Sequence, residues 1–115
     1  LFLIIDDGSH DATPAILRSY DDPRIEVVRQ DNAGLAAALN HGLALLRERG
    51  VAYIARMDGD DLSHRERLAL QLAFLRAHPE FAACGSSATY IDDAGGVIGT
   101  SSVPVSSSLI RWELN

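Results

Sequence analysis

The sequence has a single cysteine, Cys84, so no internal disulfide can form. A lone thiol in a chain of 115 residues is expected to be reduced and buried on a strand, which fits the cytosol. No apolar run approaches the roughly 18 residues that a bilayer span needs, and no signal peptide is visible, although Leu1 is not an initiator Met. Basic residues are in deficit: 10 Lys and Arg face 16 Asp and Glu, a net charge of −6, and such a surface repels a phosphate backbone. A nucleic-acid partner is therefore not expected. Zinc-type spacing is also missing, because His10, His41, His64 and His78 form no i, i+4 pair. There is no GxGxxG after a strand, no Gly-Lys-Ser/Thr of a P-loop and no GxSxG elbow. Internal repeats and low-complexity tracts are absent as well.

What is present suffices for a packed domain. Hydrophobic residues make up 47% and charged residues 23%, so residues 1–115 read as one domain with a respectable core. Leu1 to Ile5 is a continuous apolar run that stops at Asp6-Asp7-Gly8-Ser9, the pattern of a strand buried on both faces. A short helix is expected from Thr13 to Tyr20, with Pro14 in its first turn and Asp11 or Thr13 as cap. Ile25 to Arg29 reads as a second strand and Gln30 to Gly34 as a polar loop. From Leu35 to Arg49 a helix follows, with Leu35, Leu39, Leu43 and Leu46 on one face and Gly50 as its stop.

Val51 to Met57 reads as a third strand running into Asp58-Gly59-Asp60-Asp61. Ser63 and Glu66 have the spacing of a capping box for a helix to about Ala77, with Leu68, Leu72 and Leu75 as its buried face. Phe81 to Gly85 and Ala88 to Ile91 look like strands. Asp92 to Gly96 is a turn and Val97 to Thr100 a returning hairpin arm. The Ser-rich stretch from Ser101 to Ser108 reads as a connection, and a last helix carries Leu109, Ile110 and Trp112. This alternation predicts an α/β fold, a mostly parallel sheet flanked by helices.

The two acidic loops carry the chemistry. In open α/β sheets ligands sit beyond the carboxyl ends of the strands, so both loops are expected to face one crevice. Two carboxylates about 4 Å apart repel by on the order of 4 kcal/mol at an effective dielectric near 20. A hard divalent cation removes that repulsion. Mg²⁺ typically takes only one or two protein carboxylates and fills its sphere with water and substrate phosphates. The cation also admits an anionic diphosphate to an acidic crevice. An EF-hand starting at Asp58 fails, because its fifth, sixth and twelfth positions are Leu62, Ser63 and Ala69. Taken singly, Asp and Gly after a strand are ordinary turn residues, and Asn32 and Gly34 are ordinary loop residues. As a pair, each following a buried strand, the two loops point to function. Asp6 is expected to brace its loop, Asp61 to cap the next helix, and Arg56 to pair with Asp58 or Asp61 or else to touch substrate.

As an ordered set, these motifs resemble family 2 glycosyltransferases. Ile4-Ile5-Asp6-Asp7-Gly8-Ser9-His10-Asp11 is similar to the end of that family's second strand. Asn32-Ala33-Gly34 with Ala38-Leu39-Asn40-His41-Gly42 resembles its next landmark, and Tyr53 to Asp61 its Asp-x-Asp loop. Arg67-Leu68 to Gln71 and His78-Pro79-Glu80 match the helix behind that loop, so the resemblance spans about Leu1 to Thr100.

The resemblance implies a GT-A, Rossmann-like fold, a nucleotide-diphospho-sugar donor (uridine on family grounds) and Mg²⁺ or Mn²⁺. It implies that Asp7 reads a nucleobase N–H, that Asp58 lies near ribose or sugar, and that Asp60 holds the metal. Asn32, Gly34 and Arg56 join the nucleotide-sugar-binding set. It further implies direct, inverting attack by a hydroxyl of a glycan or lipid-linked acceptor, at the cytoplasmic face of a membrane in the full-length parent.

Two departures from the family pattern stand out. The family's first strand would lie upstream of Leu1, and its general base and acceptor part beyond Asn115, so no catalytic base is assigned. The helix from Leu35 to Leu46 lacks the basic residue that some relatives place near the phosphates. Sheet edges left open by a missing strand would favour a homo-oligomer. Two other readings compete. One is a non-catalytic nucleotide- or metal-binding module. The other is a receiver-like phosphoacceptor domain, disfavoured because Phe81 to Asn115 contains no lysine.

Overall fold

The computed structural model describes residues 1–101. The chain divides into two compact units, Leu1–Ile54 and Ala55–Asn115. In the first, the order is β1 (Phe2–Asp7), α1 (Thr13–Arg18), β2 (Ile25–Gln30) and α2 (Leu35–Glu48). The two strands pair in parallel, in unbroken register from Phe2 opposite Ile25 to Asp7 opposite Gln30. A parallel pair needs a crossover between its strands, and α1 supplies it. The consequence for function is direct: both strands end together, and the loops after Asp7 and Gln30 leave from the same rim.

Pro14 lies in the first turn of α1, as expected, but the helix stops at Arg18. Its N-cap is Ala12, while the Asp11 carboxylate accepts the Thr13 N–H at 2.9 Å just ahead of it. Helix α2 packs on β1. The expected leucine stripe is not its inner face: Leu35 and Leu43 are exposed and Leu39 and Leu46 half-buried, whereas Ala38 and Gly42 are buried. Small residues let the helix approach the strand closely. A Cβ added at Gly42 would meet Ile5 Cγ1 at 3.3 Å. The helix ends at Gly50 (φ +65°), whose N–H bonds Arg47 O at 3.0 Å while the Val51 N–H reaches Leu46 O at 3.5 Å. These two bonds form a Schellman stop, which uses the left-handed glycine that the sequence offered. Arg49 then ties the helix end to β2 through both oxygens of Glu26, at 2.5 and 2.7 Å.

In the second unit, α3 (Arg67–Ala77) precedes a hairpin of β3 (Thr89–Ile91) and β4 (Val97–Thr100). The hairpin is antiparallel with an irregularity between Tyr90 and Ile91. Asp92 organises its turn by accepting the Ala94 and Gly96 N–H groups at 3.0 and 2.7 Å. Phe74, His78 and Phe81 cluster at the end of α3, the first two with ring centroids 4.6 Å apart.

Several expectations are corrected here. Residues 51–57 and 81–85 form no strand. A strand exists only through a ladder, both described sheets are two-stranded, and apolar composition alone supplies no partner. The parallel sheet is thus confined, among the described residues, to β1 and β2. Cys84 accordingly sits off any strand, half-buried, with its thiol 3.7 Å from Gln71 O. The Ser63–Glu66 capping box does not form. The helix starts later, at Arg67, and Ser63 Oγ instead accepts a hydrogen bond from Arg67 Nε at 3.0 Å. Asp61 is too far upstream to cap it. Leu68 is exposed, and Leu72 and Leu75 are half-buried. The last helix, expected to carry Leu109, Ile110 and Trp112, and all but the first residue of the Ser-rich connection lie outside the described residues. Among the described residues no helix is long and apolar enough to cross a membrane.

Candidate functional site

The first unit builds its site around Asp7. Strand pairing sets Asp7 beside Gln30, and Gln30 Nε2 donates to Asp7 Oδ1 at 2.7 Å. The loop after β2 then folds back over the same carboxylate. Ala33 N–H donates to Oδ1 at 3.0 Å and Gly34 N–H to Oδ2 at 2.9 Å, while Asn32 Nδ2 donates to the Asp7 carbonyl at 3.0 Å. Gly34 reaches this position with φ 87° and ψ 163°, a conformation essentially reserved for glycine, and then serves as the N-cap of α2.

Three donors on one half-buried carboxylate favour its charged form. The Ala33 N–H does most to hold Asp7 below the usual carboxylate range, followed by Gln30 and Gly34, against partial desolvation and the neighbouring Asp6 charge. A carboxylate offers about four acceptor directions. With two taken on Oδ1 and one on Oδ2, the remaining acceptor direction lies on Oδ2.

Asp6 points to the other face, as alternation along a strand requires. It is buried, accepts the Ser9 N–H at 2.9 Å and pairs with Arg29, which also donates to Ser9 O at 2.6 Å. Hydrogen bonding from Ser9 is the main reason its pKa is lowered, with Arg29 assisting. Asp6 therefore braces the loop. Sequence reasoning missed three supporting residues: Arg29, Gln30 and His41, whose Nδ1 lies 2.6 Å from Gln30 Oε1. The signal that would have found Gln30 is register, since it ends β2 where Asp7 ends β1.

The second unit carries Arg56, Asp58 and Asp60. Arg56 pairs with half-buried Asp58 at 2.5 Å, and the Arg67 guanidinium holds the Arg56 carbonyl at 3.4 Å. The Asp61 N–H bonds Asp58 O at 3.3 Å and closes the turn. Asp60 and Asp61 are exposed, and their carboxylates have no hydrogen-bond or ion-pair partner among the described residues. No cluster of three or more His, Cys, Asp or Glu able to hold a metal occurs among the described residues. Two unengaged carboxylates, Asp60 and Asp61, suit a cation shared with a phosphate-bearing ligand, and do not suit a closed protein cage. Asp7, Asn32 and Gly34 are thus brought together in one unit, and Arg56 and Asp58 in the other with Asp60 two residues on.

Parallel strands joined by a helix, with both carboxyl ends at one hydrogen-bonded acidic rim, define an α/β protein. The glycosyl transferase family 2 model matches residues 2–110, and the chain belongs to that family, which carries the GT-A fold. The chain is 38% identical over 97 residues to EpsE of Bacillus subtilis, which carries a provisional glycosyltransferase name; the match covers 81% of this chain and 34% of EpsE. It is 39% identical over 67 residues to the succinoglycan biosynthesis protein ExoO of Rhizobium meliloti, covering 57% of this chain and 18% of ExoO. It is 34% identical over 73 residues to the amylovoran biosynthesis glycosyltransferase AmsE of Erwinia amylovora, covering 64% and 26%. The chain thus spans about a third or less of the length of these relatives. No solved structure matches it.

Proposed function

We propose that the polypeptide carrying this chain is an inverting glycosyltransferase. It takes a sugar from a nucleotide-diphospho-sugar, with a UDP-sugar the first choice, and passes it to a glycan or lipid-linked acceptor at the cytoplasmic face of a membrane. Family membership supports glycosyl transfer, and the names of ExoO and AmsE support a glycan-building pathway. The observation that carries the donor reading is the Asp7 carboxylate, kept ionised by Gln30, Ala33 and Gly34 with one acceptor direction to spare.

In this reading Asp7 accepts the ring N–H of the base, and Asn32 and Gly34 fix the loop that aims it. Asp58, held by Arg56, lies by the ribose or sugar. Asp60 holds Mg²⁺ or Mn²⁺ together with the diphosphate. When bound, the cation offsets phosphate charge and eases departure of the nucleoside diphosphate. No residue of this chain is assigned as general base. Each strand of the two-stranded β1–β2 sheet has an open outer edge among the described residues, which supports self-association. A strictly monomeric protein in light scattering at high concentration would remove that part.

The test of the whole is calorimetry of UDP and UDP-sugar with and without Mn²⁺, in the parent and in Asp60→Ala. Metal-dependent binding that is lost in Asp60→Ala is expected. Affinity indifferent to both metal and Asp60 would defeat the reading.

A further inference from the structure

Behind Asp7 lies a second layer of side chains, Gln30 and His41, to which the sequence motifs assigned no role. A carboxylate can only accept hydrogen bonds, so the Gln30 atom 2.7 Å from Asp7 Oδ1 is the amide nitrogen. That choice turns the Gln30 carbonyl towards α2, where His41 Nδ1 stands 2.6 Å away. A carbonyl oxygen can only accept as well, so His41 Nδ1 carries a proton and donates. The direction of the whole chain, His41 to Gln30 to Asp7, is thus dictated by donor and acceptor chemistry. Gln30 and His41 are both half-buried, so solvent competes only partly for these groups.

The arrangement has a consequence for what Asp7 can bind. Its other two donors, Ala33 N–H and Gly34 N–H, are backbone groups fixed by the loop. Gln30 is the side-chain contributor, and the bond from His41 to its carbonyl fixes the direction in which its amino group meets Asp7. Released from His41, the Gln30 side chain gains rotamer freedom and can swing its amino group away from the carboxylate. Asp7 would lose a donor on Oδ1, and its plane would no longer be held.

We propose that Gln30 and His41 are positioning residues that fix the plane of the Asp7 carboxylate and thereby set which nucleobase the site accepts. The proposal rests on the reading of Asp7 as the nucleobase acceptor. With Oδ1 filled and one direction open on Oδ2, the carboxylate takes a single ring N–H. Uracil presents such an N–H between two carbonyls. Cytosine presents a bare ring nitrogen at the same position, which a fixed carboxylate repels. A carboxylate free to turn discriminates less, because it can reach the cytosine amino group instead.

The test uses the full natural polypeptide, calorimetric affinities for UDP and CDP at constant Mn²⁺, and thermal melting to monitor folding. In His41→Leu, UDP affinity is expected to fall about tenfold, the scale of one hydrogen bond to a charged partner, and the UDP-to-CDP preference to fall with it. His41→Asn keeps an N–H close to the Nδ1 position and is expected to recover UDP affinity to within about threefold and to restore the preference. Gln30→Glu sets a second carboxylate against Asp7 and is expected to lose more than His41→Leu. Should His41→Leu fail to fold, Gln30→Met, similar in length and without a donor, is expected to show the same loss of preference.

Asp7→Asn, measured in parallel, separates the two levels of the argument. Unchanged UDP affinity in Asp7→Asn overturns the nucleobase reading and this proposal with it. Weakened UDP binding in Asp7→Asn, alongside a parental UDP-to-CDP preference in the His41 and Gln30 variants, overturns the positioning role alone. A His41→Asn variant no better than His41→Leu also overturns it, because the effect would then be one of packing.

Discussion

Gly8 and Asn32 stand so close that a Cβ added at Gly8 would lie 2.8 Å from the Asn32 backbone nitrogen, inside any allowed contact. Gly8 also holds φ at +80°, where a side chain is strained. Both facts belong to the junction between the loop after β1 and the loop after β2, the place where Asn32, Ala33 and Gly34 reach Asp7. Gly8→Ala is therefore expected to cost about 1–3 kcal/mol of stability, from backbone strain and from displacing the loop. The same displacement pulls two N–H donors from Asp7, so nucleotide affinity should fall together with the melting temperature. Gly59, in the other acidic loop, gives the contrast. It has no atom within 4 Å of an added Cβ and no positive φ, so Gly59→Ala should leave stability within about 0.5 kcal/mol of the parent. Thermal melts of the two variants side by side check both, and equal effects would contradict the junction geometry.

Acid should loosen the first unit by a defined route. Asp6, Asp7, Asp11, Asp22 and Glu26 all have pKa values lowered in the folded state, chiefly by hydrogen bonds from Ser9, Ala33, Thr13, Arg24 and Arg49 respectively. Their ordinary values are 3.8 for Asp and 4.5 for Glu. A lowered folded pKa means that the unfolded chain binds protons first as pH falls. The stabilisation is fully present above the ordinary values and is lost as pH drops through the lowered ones. The melting temperature of the first unit should stay flat with respect to these groups from neutral pH to about pH 5, and fall progressively below that. Asp6→Asn removes the buried member of the set, so its melting temperature should be lower at pH 7 and its decline in acid shallower. Melts across pH 7 to pH 3 measure this. A decline equally steep in Asp6→Asn would show that other carboxylates govern the transition.

The parts of the fold legible in the sequence are those set by short-range rules. The apolar run ending at Asp6-Asp7, the helix stopped by Gly50 and the turn at Asp92 each follow from local patterning and turn chemistry, and each is present. Residues 51–57 show the limit. Their composition suits a strand, but pairing is a property of neighbours that composition does not encode. The inner face of α2 shows another. Leucines at helical spacing looked like the buried stripe, yet Ala38 and Gly42 face β1 because small residues permit the closer approach. At the site, Asp7, Asn32 and Gly34 were readable as an ordered motif. The roles of Gln30 and of His41, the latter inside the Ala38 to Gly42 landmark, were not, since they depend on strand register and on which side of α2 meets the sheet.

Asp58 and Asp60 lie two residues apart and should nevertheless behave differently. Arg56 already balances the Asp58 carboxylate at 2.5 Å, whereas the Asp60 carboxylate has no partner among the described residues. A dication recruited to Asp58 would have to displace or repel the guanidinium, but at Asp60 it meets an unengaged hard oxygen. Asp58→Asn keeps the side-chain shape and can still accept from Arg56, so the Mn²⁺ dependence of UDP affinity should survive with a loss of about tenfold or less. Asp60→Asn removes the charge on the proposed ligand, and the difference between affinities with and without Mn²⁺ should largely vanish. Calorimetric titrations of UDP into both variants, each with Mn²⁺ and with chelator, distinguish the two. If the metal dependence disappears in Asp58→Asn and persists in Asp60→Asn, the roles are reversed, and Arg56 must then leave Asp58 when the donor binds.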